Sequence, residues 1–253
     1  MNVVNSSAVP RTALITGASG GIGAAICYAL AKDGFRIGVH YHTQKEKANA
    51  LVERLHAEGV RACALSADLA DLAAVSRLFS ACERTLGAPD VLVYSAGISE
   101  YGLVQDLTPQ LWRRVFSVNV DGAFYCTKAA LPHMIDRKWG RIIHIASMWG
   151  MVGASCETLY SASKGALLAF TKACAKELVY SGITVNAVAP GAVRTPMLDQ
   201  LGEKKLKELC EEIPIRRLIE PEEIAAWVSL LAGDAGASMT GQVISPNGGM
   251  VIV

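Results

Sequence analysis

The sequence has little net charge. Over 253 residues, 24 Lys and Arg face 23 Asp and Glu, leaving +1. That balance argues against a nucleic-acid-binding protein, which carries a basic face and a higher pI. Long apolar runs are absent too: none approaches the ~20 residues that span a bilayer. The opening Met-Asn-Val-Val-Asn-Ser-Ser-Ala-Val-Pro has neither the basic start nor the apolar centre of a secretory signal. Residues 1–10 are therefore expected to form a short, frayed leader. Cys27, Cys63, Cys82, Cys126, Cys156, Cys174 and Cys210 are odd in number and contain no Cys-x-x-Cys pair. They read as small hydrophobes in a reducing, cytoplasmic compartment. The five histidines do not cluster with cysteines or acids at ligand spacing, so no metal site is expected. With no Gly/Ser/Pro linker, low-complexity tract or solenoid period, residues 11–253 are expected to form one domain.

Hydrophobic residues make up 51% of the chain and charged residues 19%, enough apolar material for a well-filled core. The pattern alternates strands with helices. Strands are predicted at Thr12–Thr16, Arg36–Tyr41, Ala62–Ser66, Val91–Tyr94, Arg141–Ala146, Thr184–Val188 and near Gln242–Ile244. Helices are predicted at Ala24–Asp33, Glu46–Glu58, Leu72–Leu86, about Thr108–Arg137, Tyr160–Tyr180 and Pro221–Ala232, with a helix-rich insertion over Met197–Leu209. Repeated β–α alternation implies a doubly wound α/β (Rossmann) domain, a parallel sheet of about seven strands covered by helices on both faces. Ligands in such folds bind beyond the carboxyl ends of the strands. The residues there are the Gly17 loop, Tyr41-His42-Thr43, Asp68, Ser95-Ala-Gly97, Ser147 and Pro190-Gly191.

Two stretches carry chemistry. Gly17-Ala-Ser-Gly-Gly-Ile-Gly23 stands between a strand and a helix, where backbone N–H groups can hold a pyrophosphate and any side chain would block its approach. Tyr160 and Lys164, four residues apart on a helix, fall on one face. An ammonium beside a phenol favours the phenolate, so the tyrosine pKa is expected to fall and the hydroxyl to serve as a proton donor and acceptor.

Together Thr16-Gly-Ala-Ser-Gly-Gly-Ile-Gly23, Asp68-Leu69, Ser95-Ala-Gly97, Asn119-Val120, Ser147, Tyr160-Ser-Ala-Ser-Lys164 and Pro190-Gly191 resemble the short-chain dehydrogenase/reductase family in order and spacing. The resemblance implies hydride transfer between a nicotinamide cofactor and a carbonyl or alcohol carbon. It makes Tyr160 the general acid in reduction, while Lys164 lowers its pKa and holds the nicotinamide ribose. Ser147 then polarises the substrate carbonyl, and Asn119 keeps a water that links Lys164 to solvent. The cofactor would lie on Gly17, Ser19, Gly20, Gly21, Ile22 and Gly23, with Asp68 and Leu69 at the adenine. Ser95, Ala96 and Gly97 would flank it, and Pro190, Gly191, Val193 and Thr195 would take its carboxamide and phosphates. Tyr41, His42 and Thr43 stand where an acidic residue would repel a 2′-phosphate, so NADP(H) is expected. Two departures are Gly20, where NADP-users often carry a basic residue, and Tyr94-Ser95, which replace the usual paired asparagines.

Within the family, Ser-Gly-Ile-Thr-Val-Asn from Ser181 and Gly241-Gln-Val-Ile-Ser-Pro-Asn-Gly-Gly249 look like the 3-oxoacyl-[acyl-carrier-protein] reductases. These use basic residues near the site mouth to dock the acidic carrier, a role expected here of Lys138 with Arg137, while Ser181 replaces the second basic position. Ser147-Met-Trp-Gly-Met-Val-Gly-Ala-Ser-Cys-Glu157 also resembles the bacterial elongation factor P 5-aminopentanone reductases, which reduce a ketone on a modified lysine of a protein partner. Glu157 would attract the substrate's amine; the alternative is a surface glutamate favourable to a helix dipole. Trp149 and Met151 either line a substrate pocket or cover the sheet edge. The substrate thus stays open between a 3-oxoacyl thioester and an amino-ketone, and a non-enzyme alternative is a silent cofactor-binding regulator. The resemblance also implies a homotetramer built through the helices around residues 110–137 and 160–180.

Overall fold

The computed structural model describes residues 10–195, 198 and 202–253. The predicted leader, apart from its last residue, and part of the Met197–Leu209 insertion lie outside them. Seven strands form one parallel sheet: β1 (Thr12–Thr16), β2 (Arg36–Tyr41), β3 (Ala62–Ser66), β4 (Val91–Tyr94), β5 (Gly140–Ile145), β6 (Ile183–Val188) and β7 (Val243–Ile244). Their order is β3-β2-β1-β4-β5-β6-β7. The order reverses between β1 and β4, which pair in parallel with Ala13 opposite Val91. In doubly wound sheets such a reversal leaves a crevice beyond the carboxyl ends of the two strands.

Strand alternation assigns the two cores. Ala13, Ile15, Val91 and Val93 face one side, where α1 (Gly21–Lys32), α2 (Lys45–Ala57) and α9 (Pro221–Ala232) bury Ile26, Leu30, Leu55, Val228 and Leu231. Leu14, Leu92 and Tyr94 face the other. There α3 (Leu72–Leu86), α5 (Gly122–Arg137) and α7 (Thr158–Leu178) bury Leu78, Cys126, Met134 and Leu167. Each fully buried aliphatic side chain contributes roughly 1.5–3 kcal/mol. Helix starts follow local chemistry: Asp71 caps α3 by accepting from Ala73 N–H at 2.8 Å. Glu220 and Glu223 form a reciprocal capping box that brackets Pro221 at the first helical position.

Three elements differ from the expected ones. α1 starts at Gly21, three residues earlier than predicted, so the glycine loop runs directly into its first turn. The long helix predicted over Thr108–Arg137 is α4 (Pro109–Phe116) joined to α5 through a π-helical turn, Ser117–Asp121. A short helix, α6 (Trp149–Val152), follows β5 where none was expected. The insertion contributes α8 (Glu203–Glu212). The seven cysteines are free thiols. Among the described residues no group of His, Cys, Asp and Glu is placed to hold a metal ion, and no helix is long and apolar enough to cross a membrane.

Candidate active site

The glycine loop is a backbone cradle. Gly17, past the end of β1, has φ +62°, and a Cβ there would lie 2.9 Å from the Ala96 Cα. At Gly23 a Cβ would lie 2.5 Å from the Gly17 carbonyl oxygen, so only glycine lets α1 fold back onto the loop. Gly20 is the N-cap of α1 with no side chain capping it, and the first turn holds no acid. Ser19, Gly20, Gly21 and Ile22 keep surface open to solvent. The N–H groups and positive dipole end at this turn suit a pyrophosphate. A dinucleotide therefore fits the residues present.

Around the cradle lie the other predicted nucleotide positions. Tyr41 ends β2 half-buried, and His42 and Thr43 follow it exposed. Asp68 is exposed and accepts from Ala70 N–H at 3.0 Å, while helix capping falls to Asp71; Leu69 beside it is buried. On the other side of the crevice, buried Thr16 Oγ1 accepts from Ser95 N–H at 3.0 Å and Ala96 N–H at 3.1 Å. Gly97 lets this loop press inward, since a Cβ there would lie 3.3 Å from Lys164 Nζ and 3.4 Å from Asn119 Oδ1. Tyr94, in place of an asparagine, is fully buried and donates its hydroxyl to the Val118 carbonyl in the π-helical turn. Pro190 accepts from Met148 N–H at 3.0 Å, tying that loop to the residue after Ser147. Gly191 packs on Asn247, buried Val193 bridges to Ile219, and Thr195 stays half-exposed.

The π-helical turn places Asn119, which is fully buried. Its Oδ1 accepts from Ile98 N–H at 2.8 Å, and its Nδ2 donates to the Ile98 carbonyl and to Ser163 Oγ, both at 2.9 Å. Ser163 Oγ in turn donates to the Tyr160 carbonyl at 2.8 Å. Ser147, just beyond β5, is 7% exposed; its Oγ accepts from Trp149 N–H at 3.2 Å, and its hydroxyl lies near enough to the Tyr160 phenol to favour the phenolate. Lys164 is 3% exposed, with Nζ donating to the Ile145 carbonyl at 2.8 Å and lying 5.5 Å from the Tyr160 ring centroid. The structure thus brings Asn119, Ser147, Tyr160 and Lys164 together at the crevice.

The protonation expected of the pair is corrected. Burial pushes the Tyr160 phenol up to about 12, Ser147 opposing and Glu157 reinforcing the rise, although part of the residue stays exposed. The nearby Lys164 ammonium does not offset the burial. Its own pKa falls to about 8, because burial penalises the ammonium. Hence Lys164 is the member that titrates near neutrality.

At the mouth, Gly102 N–H donates to the Cys156 carbonyl at 2.9 Å, so the loop after β4 meets the segment leading into α7. Glu157, half-buried just before α7, accepts from Ser99 Oγ at 2.9 Å. Among the described residues no Lys or Arg pairs with it. Trp149 is half-buried, while Met151 packs on Ala146, Leu168, Ala187 and Ala189 and so covers the sheet end. Lys138 is not at the mouth of its own chain. It precedes β5, whereas Ser147 follows β5, and a six-residue strand separates them by roughly 20 Å. The strand predicted at Arg141–Ala146 already set Lys138 before its start.

Three residues that sequence reasoning passed over belong to the site. Ser163 joins Asn119 to Tyr160, and Ser99 holds Glu157. His40, 2% exposed, accepts from Gly17 N–H on Nδ1 at 3.1 Å, and burial lowers its pKa to about 4, so it is neutral. Strand position offered a signal for His40, a polar residue following the buried apolar run Ile37-Gly-Val39.

Known proteins with the same organisation are numerous. An uncharacterized oxidoreductase of Bacillus subtilis, YmfI, is 42% identical over 240 residues, covering 94% of this chain and 98% of that protein. A 3-oxoacyl-[acyl-carrier-protein] reductase of Staphylococcus aureus, FabG, is 39% identical over 240 residues, covering 95% and 98%. The crystal structure of an actinorhodin polyketide ketoreductase with NADPH superposes with a TM-score of 0.92 at 35% identity, covering 95% of this chain and 97% of that one. The family profile described as short chain dehydrogenase matches residues 11–206. The chain is a member of the short-chain dehydrogenase family of oxidoreductases.

Proposed function

We propose that this protein reduces a ketone to a secondary alcohol with NADPH, the ketone being a 3-oxoacyl thioester of the kind borne by an acyl carrier protein. The observation that carries the reaction class is the convergence of Ser147, Tyr160 and Lys164 beside the glycine cradle. When bound, NADPH supplies hydride to the carbonyl carbon. The protein supplies the proton and the electrostatics. Tyr160 gives its phenolic proton to the carbonyl oxygen as negative charge grows there. Ser147, whose oxygen already accepts from Trp149 N–H, has its hydroxyl hydrogen to donate to the same oxygen. The Lys164 ammonium, buried behind Tyr160, stabilises the phenolate left after transfer. Asn119 and Ser163 hold the first turn of α7, and with it the phenol. The absence of a carboxylate after β2 at Tyr41, His42 and Thr43 supports NADPH over NADH. The thioester rests on likeness to the 3-oxoacyl reductases.

A second reading is favoured by Glu157. It is an anion at the cleft mouth without a cationic partner among the described residues, and it suits a ketone bearing an amine, such as an aminopentanone on a lysine of elongation factor P. An acyl thioester gains nothing from it. The test is NADPH and NADH oxidation with an acetoacetyl thioester and with a small amino-ketone. Turnover of neither across a wider ketone panel, with tight NADPH binding retained, would leave a cofactor-binding regulator instead of an enzyme.

We also infer a cytoplasmic homotetramer. Trp112 and Phe124 are 43% and 46% exposed on α4 and α5, apolar surface that a self-association interface would cover. A monomer mass by light scattering would overturn this inference.

A further inference from the structure

The His40 ring sits between the glycine loop and the segment after β3, and the reaction chemistry does not use it. Gly17 lies past the last residue through which β1 pairs with β2, so its N–H needs an acceptor from elsewhere. It finds His40 Nδ1 at 3.1 Å. The opposite ring nitrogen, Nε2, lies 3.1 Å from the Ala67 carbonyl oxygen. A carbonyl only accepts, so Nε2 carries the hydrogen and Nδ1 is bare. The backbone repeats the connection: Ala18 N–H donates to the His40 carbonyl at 2.9 Å, and Ala67 N–H to the Tyr41 carbonyl at 3.1 Å.

One ring therefore ties three segments. Gly17 opens the phosphate cradle, Tyr41 to Thr43 follow β2 where the adenosine ribose would be held, and Ala67 leads into Asp68. Each is a loop end that could shift independently of the strands. We propose that His40 is a positioning residue for the nucleotide, a neutral latch that fixes the phosphate loop relative to the ribose and adenine segments. Its effect belongs to cofactor binding, not to the proton-transfer step, because it touches neither Tyr160 nor Lys164. The inference rests on reading the Gly17 loop as the nucleotide cradle. If that reading fails, the unaltered protein will not bind NADPH; if only this inference fails, binding will survive the substitutions below.

The experiment compares three variants by NADPH fluorescence titration and by steady-state kinetics at varied NADPH. His40→Leu fills the space but offers Gly17 no acceptor. His40→Asn places a carboxamide oxygen close to the position of Nδ1. His40→Gln reaches toward Ala67 instead. The loss of a buried acceptor predicts that His40→Leu raises the Kd and KM for NADPH by about tenfold, with kcat at saturating NADPH within about twofold of the parent. His40→Asn is expected to return Kd to within about threefold of the parent, and His40→Gln to bind as weakly as His40→Leu. A folded His40→Leu protein with unchanged Kd would overturn the proposal. Should His40→Leu not fold, equal NADPH affinity in the Asn and Gln variants would overturn it instead.

Discussion

Asn119 and Ser163 meet across two elements, Nδ2 donating to Oγ at 2.9 Å, and Ser163 passes the contact to the Tyr160 carbonyl at 2.8 Å. The π-helical turn is thereby connected to the residue that gives up the proton. Both side chains are fully buried, so the chain of bonds has no competing water on its surface. Ser163→Ala would leave one Asn119 N–H and the Tyr160 carbonyl without this partner. We expect kcat to fall about tenfold, with the KM for NADPH little changed and a loss of about 1–3 kcal/mol in stability. Steady-state kinetics beside urea unfolding checks both.

Tyr160→Phe removes the proton donor while preserving the ring. The expected outcome is a fall in kcat of about a hundredfold or more, the range assigned to general acid catalysis. The Kd for NADPH should stay close to the parent value. Turnover at the parent rate would remove Tyr160 from the mechanism.

The pH dependence belongs to Lys164. Its pKa falls to about 8 on burial, so it is charged below that value and neutral above it, while Tyr160, raised to about 12, stays protonated through the same range. Reduction should therefore slow as pH rises through about 8. Stability moves the other way. Between about 8 and the ordinary lysine value the unfolded chain holds the proton and the folded chain does not, so this group's contribution to stability increases with pH. The rate limb should be absent from Lys164→Met, and the parent-minus-variant difference in unfolding free energy should rise between pH 8 and 10. A difference that stays flat would contradict the sign.

Glu157→Gln separates the two substrates. It keeps a carbonyl oxygen that can accept from Ser99 but removes the charge. With an amino-ketone, kcat/KM is expected to drop about ten- to a hundred-and-fiftyfold, as for loss of a hydrogen bond to a charged group, while an acetoacetyl thioester should be turned over at the parent rate. Equal effects on the two substrates would remove Glu157 from substrate selection.

The strands were legible because apolar runs such as Thr12–Thr16 are buried on both faces, and the glycine cluster beyond them declared a close backbone approach. The π-helical turn was not. Ser117-Val-Asn-Val-Asp121 is poor in helix formers but nothing in it specifies a π turn, and the extra residue that turns Asn119 inward leaves no mark in periodicity. Ser163 read as helix filler between a tyrosine and a lysine, because its partner comes from a helix 44 residues away. The protonation of Tyr160 and Lys164 was misjudged for a related reason. Their spacing revealed the nearness of an ammonium to a phenol but not that both are buried, and burial outweighs their attraction. Lys138 is a different case: the strand predicted at Arg141–Ala146 already placed it at the amino end of β5, away from Ser147.

Gly150, in α6, rests directly on α7: a Cβ there would lie 2.7 Å from the Lys164 carbonyl carbon and 2.9 Å from Gly165 N. The segment from Ser147 to Glu157 thus has a fixed foothold on the helix that performs proton transfer. Val152 and Ser155 beyond that foothold are exposed, while Gly153 between them, at φ +78°, keeps the turn a glycine. Diversification can therefore proceed in the outer half of this segment while the inner half keeps its register. A new substrate range can evolve here without the ancestral chemistry being rebuilt.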